Sequence, residues 1–81
     1  MRPIKRSLTI AGHRTSISLE PEFWEALAEV AAAEQLTVAA LVARIDEARA
    51  AAGDVDAGGL SGAVRVYVLG HYRNASSKPE T

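Results

Sequence analysis

The sequence predicts a mainly α-helical fold built on a short β-ribbon, and three features carry that prediction. From Arg14 to Leu19 the chain alternates, with Ile17 and Leu19 on one side and Arg14, Ser16 and Ser18 on the other. That two-residue period is the mark of a half-buried strand. At Glu20-Pro21 the alternation stops, and apolar residues begin to recur at three- and four-residue intervals. Two further stretches with helical period follow, from about Val38 to Ala51 and from about Ser61 to Arg73.

The first helix is expected to start near Pro21, where a missing N–H costs nothing, with Glu20, Glu22 and Glu25 facing the positive end of its dipole. Phe23, Leu27, Val30 and Ala31 share a face, with Trp24 beside them, and the helix is expected to end around Glu34-Gln35. Leu36 falls in a short turn, and Thr37 is a natural N-cap for the second helix. Val38, Leu41, Val42, Ile45 and Ala48 form that helix's apolar stripe. Gly53 to Gly59 reads as a loop, and Ser61 as the cap of a third helix that packs through Val64, Val68, Leu69 and Tyr72. The domain is expected to span residues 1–73, with residues 74–81 a disordered tail.

Upstream, Ile4 to Ile10 shows a weaker alternation, and Ala11-Gly12-His13 is a turn candidate. Residues 1–13 are therefore either an extra strand or a flexible basic arm. A lone strand leaves its backbone N–H and C=O groups without partners. Residues 14–19 must pair either with residues 4–10 or with a second copy of the chain.

At 81 residues the chain is one small domain. Chains of this length hide only about 60% of their unfolded surface, so disulfides, metals or a second subunit commonly help. The chain has no cysteine, which removes disulfides and thiolate zinc sites, and His13 and His71 are too few for a histidine cluster. No metal or cofactor is expected, and association of two copies remains. No apolar run approaches the roughly 18 residues of a membrane span, and no signal core follows the basic start. The expected location is the cytoplasm, with no membrane partner.

The net charge of −1 conceals an asymmetry. Arg2, Lys5, Arg6 and Arg14 give residues 1–19 a charge of +4 without a single acid, whereas residues 20–56 carry −7. A basic segment on an acidic body points to a polyanion reached from the N-terminal side. A two-stranded ribbon fits the DNA major groove, where arginine can hold guanine by two bonds and serine can meet either donors or acceptors.

The run "RTSISLEPEFWEALAEVAAAEQLTVAALVARI" resembles the ribbon-helix-helix superfamily of Arc, MetJ and CopG-type repressors. The wider pattern from "KRSLTIAGHRTSISLEPEFW" to "LSGAVRVYVLGHYR" resembles a bacterial subfamily with a longer C-terminal part. The resemblance covers about residues 5–73. It implies an intertwined homodimer with an intermolecular antiparallel ribbon, an extra C-terminal helix, and repressor activity on double-stranded DNA. Two such dimers could sit on adjacent half-sites. By this resemblance Arg14, Ser16 and Ser18 would contact bases, and Thr37 and Val38 would offer backbone N–H groups to phosphate, with Arg2, Lys5 and Arg6 adding phosphate attraction. Ile17, Leu19, Phe23, Trp24, Leu27, Leu41 and Ile45 would form the dimer core. If Lys5, Ser7 and Thr9 faced DNA instead, the base readers would be different residues. Gln35 stands where the family often has glycine, a departure that matters little unless its backbone is left-handed.

An enzyme is not expected, because the sequence holds no phosphate loop, metal-ligand spacing or placed Ser-His-Asp set. Arg44, Arg65 and Arg73 read as solvated or paired with glutamates. An alternative function is an antitoxin or adaptor that presents its C-terminal helix to a protein partner.

Overall fold

The computed structural model describes residues 3–53 and 59–77. Two strands open the chain, β1 (Ile4–Ile10) and β2 (His13–Leu19), followed by α1 (Pro21–Ala33), α2 (Val38–Ala51) and α3 (Gly59–Ser77). The strands form one antiparallel hairpin, with Ile4 opposite Leu19, Ser7 opposite Ser16 and Ile10 opposite His13. Of the two fates open to residues 1–13, the chain takes the strand. Arg2 lies outside the described residues.

The hairpin closes through two residues, Ala11 and Gly12, at φ 52° and 82°. Positive φ at both positions gives the primed turn whose twist matches that of the strands. Glycine bears this freely, whereas alanine in the left-handed region is strained by about 1–2 kcal/mol.

α1 begins with Pro21 in its first turn, as expected, but Glu20 makes no side-chain cap bond. Its end is a Schellman closure: Gln35 N–H donates to the Ala32 carbonyl at 3.0 Å and Leu36 N–H to the Ala31 carbonyl at 2.8 Å. The closure requires a left-handed residue, and Gln35 supplies it at φ 60°. The departure from glycine at this position therefore carries a conformational cost. α2 spans the range expected for it, and Thr37 caps it by accepting from Ala40 N–H at 3.0 Å. The axes of α1 and α2 meet at 92°.

α3 differs from expectation at both ends. It starts at Gly59, so Ser61 is an internal residue rather than the cap, and it runs to Ser77, past Arg73. Residues 74–77, expected as disordered tail, are helical, because the turns at Arg73 and beyond continue without a breaker until Pro79. Residues 78–81, and residues 54–58 within the stretch expected as a loop, lie outside the described residues.

The core lies between the hairpin and the three helices. Ile10, Ile17, Leu19, Trp24, Leu27, Val30, Leu41, Val42, Ile45, Val64 and Val68 are all buried. Leu69, expected to pack, is 53% exposed, and half-buried Leu60 and Tyr67 pack against the core instead. Six of the seven residues expected at a dimer core are buried within one chain, and Phe23 is half-buried. Within the chain, β1 packs on α2, and α3 packs on α1, α2 and β2.

Candidate nucleic-acid interface

Cross-strand neighbours share a face of a sheet, so the register sorts the hairpin into two surfaces. Ile4, Arg6, Leu8 and Ile10 on β1 lie on the side of His13, Thr15, Ile17 and Leu19 on β2, toward the helices. The opposite side carries three cross-strand pairs: Lys5 with Ser18, Ser7 with Ser16, and Thr9 with Arg14. All six side chains are polar. Five are exposed and Ser18 is half-buried. Lys5, Ser7 and Thr9, weighed as competitors of Arg14, Ser16 and Ser18, are thus their neighbours on one surface. The signal for this was the two-residue Ala11-Gly12 turn, which fixes the register of both alternations.

Lys5 and Arg14 place one cation near each end of this face, and no acid belongs to either strand. Arg6 is not part of it. Its guanidinium lies 4.9 Å from the ring centre of Trp24, on the helix side of the sheet. Trp24 also donates its indole N–H to the Ile4 carbonyl at 2.9 Å. A single tryptophan therefore ties the N-terminal end of β1 to α1.

The C-terminal end of β2 is tied down by α3. Ser18 N–H donates to Ser61 Oγ at 3.1 Å, and the Arg65 guanidinium donates to the Ser18 carbonyl at 3.2 Å. Arg65 also pairs with Glu20, 3.0 Å from Nε to Oε1, and lies 6.0 Å from the ring centre of Phe23. The hydrogen bond from Arg65 holds the Glu20 carboxyl below its ordinary pKa. Sequence reading assigned Arg65 a glutamate partner in general terms but missed its grip on β2. No local signal links residues 18 and 65.

Thr37 caps α2 as the sequence suggests. Thr37 is exposed, its hydroxyl is engaged with Ala40 N–H, and the N–H groups of Val38 and Ala39 hold no hydrogen bond among the described residues. Free N–H groups at a helix start attract anions. On the far side of the body Glu34 joins all three helices, accepting from Arg44 at 3.0 Å and from the Tyr67 hydroxyl at 2.7 Å. That bond raises the Tyr67 pKa above its ordinary value. Between α2 and α3 lies an open groove of about 810 Å³ lined in part by Ile45, Ala48, Ala51, Ala63 and Val66.

Among the described residues no group of His, Cys, Asp and Glu is placed to hold a metal ion, and no single helix is long and apolar enough to cross a membrane.

The hairpin thus presents a polar two-stranded ribbon on an apolar helical base. The family model described as the ribbon-helix-helix domain matches residues 3–72, and the chain belongs to that family. Its members are generally DNA-binding transcription regulators or antitoxins, typically non-enzymatic, and typically bind DNA as dimers. No match was found among curated proteins or solved structures.

Proposed function

We propose that this protein is a cytoplasmic, homodimeric, sequence-specific DNA-binding regulator, acting as a repressor, whose hairpin face enters the major groove. The observation that carries the reading is the six-residue polar face with Lys5 and Arg14 as its cations. A two-stranded ribbon has the width the groove accepts. Arg14 is the residue suited to hold a guanine edge, and Ser16 and Ser18 are suited to meet either donors or acceptors. Ser7 and Thr9 extend the same surface, and Lys5 suits phosphate. The N–H groups of Val38 and Ala39 at the Thr37-capped helix start offer a second phosphate contact.

Titration of labelled duplex DNA at several salt concentrations tests this. Salt-dependent binding with a preferred sequence is expected, and Arg14→Ala is expected to weaken binding to that sequence by about 1–3 kcal/mol while relaxing its preference. An Arg14→Ala protein that keeps full preference removes Arg14 from the readers. No binding even at low salt removes the DNA reading.

One observation favours a second reading, an antitoxin or adaptor. Val66 is 70% exposed beside the α2–α3 groove, an apolar surface a protein partner could cover. Partner capture that is lost in Val66→Glu, together with no DNA binding, selects it.

A further inference from the structure

We propose that the hairpin of one chain carries its own two-fold reading face, in which Lys5 holds a base edge as the counterpart of Arg14. Each hairpin then prefers a quasi-palindromic core with a guanine on either DNA strand. The proposal rests on the DNA reading above and deepens it, because it adds a reader and sets the symmetry of the site.

A regular antiparallel pair has a local two-fold axis, perpendicular to the sheet, between any two directly opposite residues. At the centre of the polar face those residues are Ser7 and Ser16. Rotation about their axis carries Lys5 onto Arg14, Ser7 onto Ser16 and Thr9 onto Ser18. Cation falls on cation, serine on serine and hydroxyl on hydroxyl. The two strand sequences show the same relation, IKRSLTI in β1 against HRTSISL in β2. On the helix side Leu8 answers Ile17 and Ile10 answers Leu19, but Ile4 against His13 and Arg6 against Thr15 depart from it. The match is complete only on the polar face, where packing against the helices does not choose the residues.

Duplex DNA has local two-fold axes that open into its grooves, and two-fold proteins accordingly read palindromic sites. A face whose own axis lies along such a dyad presents the same chemistry to both DNA strands. Lys5 and Arg14 occupy diagonal corners of the face, with Cα atoms about 14 Å apart at the usual strand rise and spacing. Arginine and lysine are the two side chains that hold guanine through O6 and N7. Both residues are exposed, and neither forms a salt bridge among the described residues. Arg6, the other cation of β1, is held against Trp24 on the opposite side. A lysine that served phosphate alone could stand anywhere in the basic segment, whereas Lys5 stands where the axis requires it.

Both corners are also fixed in place, as base reading demands. The Thr9–Arg14 corner adjoins the two-residue turn at Ala11 and Gly12. The Lys5–Ser18 corner is anchored by α3, which holds the Ser18 N–H through Ser61 and the Ser18 carbonyl through Arg65. The backbones of Lys5, Ser7 and Thr9 hold no hydrogen bond outside the hairpin among the described residues, so the two-fold relation belongs to the side chains and not to the tethers.

Selection of preferred duplexes from a random pool by the full chain, followed by titration of Lys5→Ala, Arg14→Ala and Lys5→Arg, tests the proposal. The preferred core is expected to carry a guanine on each strand, related by a dyad. Lys5→Ala is expected to lose about 5- to 150-fold of discrimination at one of these guanines, and Arg14→Ala a similar amount at the other. Lys5→Arg is expected to keep both. Far-ultraviolet circular dichroism is expected to be unchanged in all three variants, because both side chains are exposed. A Lys5→Ala protein that binds every sequence more weakly but keeps its preference makes Lys5 a phosphate contact, and overturns this inference while the DNA reading stands. A preferred core without the second guanine, or binding with no preferred sequence, overturns it as well. No salt-dependent binding at all sinks the DNA reading and this inference with it.

Discussion

The two strands of the hairpin have the same length and pair residue for residue, yet the body holds them very differently. β2 buries Ile17 and Leu19 almost completely and is tethered at Ser18 by α3. β1 leaves Ile4 exposed, buries only Ile10 fully, and is attached at its far end by one indole N–H. The lesson is that β2 belongs to the core, whereas β1 is an added strand with an unused edge. Every buried side chain β2 contributes is covered within one chain, so its sequence is constrained by packing. That of β1 is freer, because only Ile10 of its side chains is fully buried.

The comparison breaks most clearly at Leu19 and Ile4, which face each other across the hairpin. Leu19→Ala is expected to cost about 2–5 kcal/mol, the range for a buried leucine. Ile4→Ala in the monomer is expected to cost no more than about 1 kcal/mol, because an exposed side chain loses little on truncation. Urea unfolding of both variants, at a dilution where solution mass shows a single chain, checks this, and equal losses would mean the strands are equally integrated.

A smaller effect is expected at the turn that joins them. Ala11 is left-handed, and asparagine tolerates that region better, so Ala11→Asn is expected to stabilise the hairpin by about 0.5–1 kcal/mol. A lower denaturation midpoint in this variant would argue against the primed turn.

The smallest effect sharpens the account of α3. The Glu20 carboxyl titrates below its ordinary value of 4.5 because Arg65 bonds its ionised form. A depressed carboxyl pKa gives stability that is present above the unfolded value and lost as the pH falls through the folded one. Acid titration of the wild type is therefore expected to lose a small increment of stability below about pH 4.5 that Glu20→Gln does not lose. The pair is partly open to water, and screening keeps the increment small. Identical acid profiles for the two proteins would show that the pair does nothing for the α3 tether.

Much of this architecture was legible in local pattern. Residues 14–19 alternate and form a strand, Pro21 opens α1, and Thr37 caps an α2 with the expected bounds. These features depend on backbone propensity and on hydrogen bonds within three or four residues, which adjacent side chains dictate. Gln35 shows the limit. The sequence left open whether its backbone is left-handed, and the Schellman closure imposes φ 60° because Leu36 turns back onto the core.

The sequence alone therefore determined the order of the second strand and the three helices after it, the basic first segment, and the split of the second strand into an apolar and a polar side. Each follows from periodicity and charge along the chain. Only the tertiary structure decided that the first alternation pairs with the second, so that Lys5, Ser7 and Thr9 share a face with Arg14, Ser16 and Ser18. It also decided that Arg65 and Ser61 close one edge of the hairpin and leave the other open. The physical reason is distance along the chain. Which hydrogen-bonding groups of a strand stay free depends on a helix more than forty residues away, and no local pattern records where that helix will lie.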